Sequence, residues 1–152
     1  MRRKRGFVQL AILHLLKQES MHGYQIMKEL EDRSNGAYSA SAGTVYPALQ
    51  ELEDQDLIRQ DVHGNKKIYS INTSGLNRLE EIKHDGDFWE EWKERMTWRN
   101  SKEFVKLKSA MERWEKEVRN VVKKTRGNPE EVTELITFID GVTEQLKKKS
   151  KK

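Results

Sequence analysis

The residue types best suited to work on a polyanion lie between Ser39 and Ile58, where Ser41, Gly43, Thr44, Tyr46 and Pro47 precede the acids Glu51, Glu53, Asp54 and Asp56. Val45, Ala48, Leu49 and Leu52 recur at helical spacing and define one buried stripe. The other face, near the helix start, carries Gly43, Thr44, Tyr46 and Pro47, which are small, uncharged or hydrogen-bonding groups in place of the usual solvating Lys and Glu. That face can approach another surface closely. With the acids gathered at the far end, only the N-terminal half, with its unpaired backbone N–H groups, can meet a polyanion. This is the polarity of a DNA-reading helix. A proline deeper than the first turn deletes a backbone hydrogen bond and clashes with an earlier carbonyl. Pro47 therefore favours an N-cap at Gly43 or Thr44, whereas a cap at Ser41 would leave a distortion beside Tyr46. The plainer reading of the same residues is a buried amphipathic helix with a proline-tightened start, and the rest of the chain decides between the two.

Catalysis finds little support elsewhere. His14, His22, His63 and His84 show no metal-ligand spacing, and no nucleophile elbow, phosphate loop or dinucleotide glycine pattern occurs. Glu90, Glu91 and Glu94 are best taken as a solvated face. The chain is therefore expected to be no enzyme and to need no metal or cofactor. Cysteine is absent, so neither a disulfide framework nor thiolate chemistry is available. No apolar run is long enough to span a bilayer and the start lacks the apolar core of a signal peptide, so a cytoplasmic location is expected.

The elements that must position the Ser39–Ile58 stretch follow from charge and periodicity. The 152 residues are 36% charged and 35% hydrophobic, polar enough that part of the core is expected to come from association. The net charge is only +4, although Arg2, Arg3, Lys4 and Arg5 form a basic arm and Lys147, Lys148, Lys149, Lys151 and Lys152 a basic tail. The body between them is acidic. Positive charge on the two tails and at Lys66 and Lys67 is a local footprint for phosphate, with Arg3 and Arg5 as the arm's candidates.

After the arm, Phe7, Val8, Ala11, Ile12, Leu15 and Leu16 make a helical stripe widened by Leu10 and Leu13. A second helix runs through Ile26, Met27 and Leu30 and ends at Ser34-Asn35-Gly36. The third helix spans about 43 to 55. Ile58 to Val62 and Lys67 to Ile71 read as strands, with Gly64-Asn65 a type II′ or related hairpin signal. Three helices followed by a hairpin with a basic tip is the order of a winged helix-turn-helix, in which the third helix enters the major groove.

Asn72 to Gly75 can cap a fourth helix, Asp85-Gly86-Asp87 marks a break, and Phe88, Trp89, Trp92 and Met96 make an aromatic face. Asn100 with Glu103 gives a capping-box pattern. Phe104, Leu107, Met111, Trp114, Val118 and Val121 then form a narrow heptad seam, which Gly127-Asn128-Pro129 interrupts. Val132, Leu135, Ile139, Val142 and Leu146 repeat it. So short a turn should pair the two helices antiparallel, yet Val105, Val122, Ile136 and Phe138 need a further surface. A symmetric dimer is the economical inference, with Phe104, Leu107, Met111, Trp114, Val118, Val121, Leu135, Ile139 and Val142 at its interface.

With these residues in view the chain resembles the PadR-like transcriptional regulators. The matching pieces are Leu15-Leu16, His22-Gly23-Tyr24-Gln25-Ile26, Ser41-Ala42-Gly43-Thr44-Val45-Tyr46-Pro47-Ala48-Leu49, Leu52-Glu53, Leu57-Ile58, and Tyr69-Ser70-Ile71 with Gly75 and Leu79. They cover about the first eighty residues in order. Asp56 stands where the family usually has glycine, and Asp can still visit the left-handed region. The resemblance implies DNA contact through Ser41, Gly43, Thr44, Tyr46 and Pro47, with Tyr24 on the preceding helix and Lys66 and Lys67 on the wing. It also implies helices near the C-terminus that dimerise. Some family members take flat aromatic ligands between helices, which makes Trp92 and Trp114 candidates beside the plainer reading that all four tryptophans are filler.

The expected architecture is mainly α. Residues 1–73 form a winged helix-turn-helix (three helices plus a two-stranded wing), 74–100 connecting helices, and 101–152 a helical dimerisation module with a basic tail. The expected function is repression by a homodimer on an inverted-repeat double-stranded DNA operator, with release by a small aromatic effector as an added reading. The alternative is a winged-helix module whose third helix docks on a protein. The basic wing, basic arm and acidic body favour nucleic acid.

Overall fold

The computed structural model describes residues 2–82 and 85–152, with side chains from residue 6 onward. His84 and the side chains of Arg3 and Arg5 therefore lie outside the described residues. The described chain divides into two compact units, 1–101 and 102–152.

In the first unit, α1 (Arg2–Gln18) is apolar on most of its girth and forms the centre of the core. Ala11, Ile12, Leu13, Leu15 and Leu16 are all buried. Against it lie Ile26 and Leu30 of α2 (Gly23–Arg33) and Val45, Ala48, Leu49 and Leu52 of α3 (Ala42–Asp54). The stripe read from the sequence of α3 is thus its buried face. Each fully buried side chain of this size contributes about 1.5–3 kcal/mol, so the core fixes α3 by one face and leaves the other free. Ile58 of β2 (Ile58–His63) and Tyr69 of β3 (Lys66–Ile71) extend the same core. Leu79 of α4 (Thr73–Glu81) and Phe88, Trp92 and Met96 of α5 (Phe88–Arg99) complete it.

The wing pairs His63 with Lys66, leaving Gly64-Asn65 as a two-residue loop. Gly64 has φ +64° while Asn65 stays at negative φ, as a type II′ turn requires. The structure adds a strand to the expected two-stranded wing. Met21 and His22 form β1 and pair antiparallel with Tyr69 and Ile68, giving a sheet of order β1-β3-β2. Two residues are too short to show an alternation.

The start of α3 corrects the expected cap. Ser41, not Gly43 or Thr44, is the N-cap, in extended conformation, and Pro47 lies inside the helix. The carbonyl of Ser41 accepts from both Thr44 N (3.1 Å) and Val45 N (2.9 Å), which starts the helix there despite the proline. Pro47 has no N–H to offer the Gly43 carbonyl, but this side of α3 is exposed, where water can satisfy the group. The Ser41 hydroxyl is turned to the Thr44 hydroxyl at 3.1 Å and caps no backbone amide.

Other caps follow local chemistry. Asn72 accepts from Gly75 N at 2.9 Å and opens α4. Asp56, at φ +56°, ends the α3 turn in the left-handed region. Asn100 does not form the expected box with Glu103, because it closes α5 and its side-chain amide donates to the Ala37 carbonyl. The next helix starts later, at Lys102.

The second unit is a helical hairpin of α6 (Lys102–Thr125) and α7 (Pro129–Ser150). Asn128 caps α7, accepting from Glu131 N at 3.4 Å, and Pro129 holds the first position, where its missing N–H costs nothing. Thr125 is its one buried residue among those described.

Candidate nucleic-acid interface

The free face of α3 exposes Ser41, Gly43, Thr44, Tyr46 and Pro47 together, opposite its four buried residues. None of the five is charged, and no atom lies within 4 Å of where a Gly43 Cβ would stand. The backbone is therefore open to close approach. The exposed acid Asp54 stands at the other end of the helix, where the Gln50 amide donates to it at 2.9 Å.

Beside this face a cleft runs between the start of α2 and the wing, lined by Tyr24, Gln25, Tyr46, Asn65, Lys66 and Lys67. Tyr24 is 71% exposed and Tyr46 44%. β1 holds the cleft's two walls together. The His22 ring, through Nδ1, lies 3.3 Å from the Lys67 carbonyl, and Gln25 Oε1 accepts from His22 N at 2.9 Å. The first residues of α2 and the lysines of the wing are thus fixed to one another. Tyr69 forms the floor, its phenol pushed above the usual range by burial and then by Tyr46 and Glu53.

Tyr46 is seated by a glycine. A Cβ on Gly23 would meet the Tyr46 hydroxyl at 2.7 Å and its ring at 2.9 Å, closer than real side chains approach. Glycine at 23 lets the phenol lie across the first turn of α2. Gly75 answers a stricter demand, since its Cβ would stand 2.2 Å from the Leu57 carbonyl. Sequence reasoning quoted both glycines without seeing these contacts, and it assigned no part to Gln25, Asn65 or Gln50. The last three carry amides on the cleft or the free face, a type suited to phosphates or base edges. The visible signal was their adjacency to the motif residues.

The two tryptophans proposed for a ligand part company. Trp92 is wholly buried, 5.4 Å from the Phe7 ring and 5.1 Å from that of Tyr38, and its Nε1 donates to the Leu30 carbonyl at 3.1 Å. It has no surface to offer a ligand, which corrects that assignment. Trp114 on α6 is 52% exposed and borders a hollow with Glu117, Val121, Glu131, Glu134 and Phe138.

Of the residues expected at a dimer interface, Leu107, Met111, Trp114 and Val121 are exposed on α6. Phe104, Val118, Leu135, Ile139 and Val142 are half-buried. Val105, Val122, Ile136 and Phe138 are also exposed.

Helices packed on a small antiparallel sheet, with a helix-turn-helix and a protruding hairpin, define the winged-helix class. Residues 12–81 match the model of the transcriptional regulator PadR-like family. By that match the segment 12–81 belongs to the PadR-like family of transcriptional regulators. The chain is 34% identical over 87 residues to the transcriptional regulator YqjI of Escherichia coli, covering 57% of this chain and 42% of that protein. To the negative transcriptional regulator PadR of Bacillus subtilis it is 32% identical over 81 residues, covering 49% of this chain and 44% of that one. The chain thus spans less than half the length of these two curated relatives. A solved transcriptional regulator from Clostridium thermocellum superposes with a TM-score of 0.50 at 25% identity, over 53% of this chain and 83% of that one. Among the described residues no helix is long and apolar enough to cross a membrane.

Proposed function

We propose that the chain represses transcription as a homodimer that places two copies of α3 in successive major grooves of an inverted-repeat operator, about 34 Å apart. One observation carries the reading. The exposed half of α3 is uncharged and open to its backbone, and it adjoins a cleft whose charged groups are the wing cations Lys66 and Lys67. Thr44, Tyr46 and the Gly43 backbone would face the bases, and Tyr24, Ser41, Lys66 and Lys67 the phosphates, with Pro47 shaping the approach. The arm residues Arg3 and Arg5 would add backbone contacts, and the site needs no metal or cofactor.

The half-exposed seam of α6 and α7 supports the dimer, because a monomer leaves Leu107, Met111 and Trp114 in water. This assigns residues 102–152 to dimerisation and 1–101 to DNA. Trp114 also supports release by a ligand. Its ring borders Glu117, Glu131 and Glu134, a setting for a planar aromatic cation that binds the DNA-incompetent arrangement more tightly.

Fluorescence anisotropy with randomised and then selected duplexes, across a salt series, tests the reading. Specific binding at twice the chain mass, with affinity falling steeply as salt rises, is expected. No binding to any duplex at low salt would overturn it in favour of α3 docking on a protein. Quenching of tryptophan emission by cationic planar dyes, reduced by operator, is the expected sign of the effector.

A further inference from the structure

The last carbonyls of an α-helix have no partner within it and must find one elsewhere. At the end of α2 the Glu31 carbonyl accepts from the Ser34 hydroxyl at 2.8 Å, and the Leu30 carbonyl accepts from Nε1 of Trp92, a residue of α5. The chain then turns through residues 34–41 to reach α3. Ser34 Oγ accepts from Tyr38 N at 2.8 Å, and the Glu31 carboxylate accepts from Ala40 N at 3.0 Å, one residue before the cap of α3. The Ala37 carbonyl, at the apex, accepts from the amide of Asn100, the C-cap of α5. The ring of Tyr38 packs edge-on against Trp92. Two donors, one on α5 and one at its C-cap, thus take the carbonyls at the entrance and at the apex of the turn that aims α3.

We propose that Trp92 and Asn100 are positioning residues for DNA recognition: they set the 34–41 turn and, through it, the direction in which the free face of α3 points. The assignment of that face to DNA rests on the function proposed above. Neither residue touches the face itself. Trp92 does its part within the core, where its indole also fills space between α1 and the turn. Asn100 is exposed, and its side-chain amide donates to the Ala37 carbonyl, so a substitution there tests that bond without opening the core.

The experiment compares Asn100→Ala, Asn100→Asp, Asn100→Gln and Trp92→Phe in the full chain. Ala and Asp remove the donor by different routes, Gln keeps it, and Phe keeps an aromatic ring, smaller than the indole, while deleting the N–H. Hydrogen exchange at the amides of Tyr38, Ala40 and Thr44 should accelerate at least tenfold in the donor-less Asn100 variants, with α1 amides, melting midpoint and chain mass unchanged. Specific DNA affinity should fall about tenfold in the same variants and in Trp92→Phe, and Gln should recover it. Unaltered exchange in the turn overturns the proposal whatever the DNA result. So does wild-type affinity in the donor-less variants, or a loss that Gln shares. A wild-type chain that binds no duplex would defeat the DNA reading instead, leaving the exchange comparison to decide whether these bonds set the turn.

Discussion

Two helices of this chain are rich in apolar residues and use them in opposite ways. α1 buries its apolar side chains from Phe7 to Leu16 among α2, α3, α4, α5 and the sheet. α6 is longer, yet it leaves Val105, Leu107, Met111, Trp114, Val121 and Val122 in solvent and has only Thr125 buried. The difference lies in how far round each helix the apolar residues run and in what surrounds each. The apolar residues of α1 from Phe7 to Leu16 all meet neighbours within its unit, whereas a two-helix hairpin can cover only one side of each helix. The first unit covers its own apolar faces and the second leaves a seam uncovered, the seam that the dimer proposed above would cover.

The contrast is most sharply broken by ending the chain after Ser101. The shortened chain should melt cooperatively as a monomer, because its core is intact, but bind operator more than a hundredfold more weakly once two half-sites are no longer linked. Light scattering and anisotropy on the same sample check both parts. Loss of cooperative melting would show that the first unit also depends on the second.

Next in size is Gly75→Ala, which probes how tightly the first unit is closed. The new Cβ meets backbone, the Leu57 carbonyl, and backbone there cannot step aside without moving α4 from the sheet. A loss of about 1–3 kcal/mol is expected in chemical denaturation, with dimer mass unchanged. The smallest effect should come from Gly23→Ala, where the obstacle is the far end of the Tyr46 ring. That ring can swing away, so stability should hardly change while specific DNA affinity falls about tenfold, or about 1.4 kcal/mol. A large loss of stability here would mean that Tyr46 serves packing before recognition.

Helix existence and buried faces were legible because 3.6-residue periodicity records what is hidden from water. The caps at Asn72 and Asn128 and the turn at Gly64 were legible because each is a local demand on backbone geometry. What escaped was set by distant partners. Met21 and His22 become a strand only because β3 arrives beside them. Ser41 becomes a cap although Pro47 argues against it, because the amides of Thr44 and Val45 bond to its carbonyl. Trp92 looked like a ligand wall by its type, and only the fold places its N–H on Leu30. Gly23 carries a motif whose reason is a ring twenty-three positions away.

The short strand at Met21 and His22 also bears on how the chain folds. Its partners Tyr69 and Ile68 are far away in sequence, so a long loop must close, at an entropic cost, before β1 can join the local hairpin of β2 and β3. The hairpin of α6 and α7 turns back through Gly127 and Asn128 and needs only local contacts. In refolding from denaturant the helical hairpin would form in an early phase and the three-stranded sheet would be completed in a later one. Two chains could then find each other through α6 before either has a surface able to hold DNA. Stopped-flow refolding should accordingly show an early step that depends on protein concentration, followed by a slower one that does not.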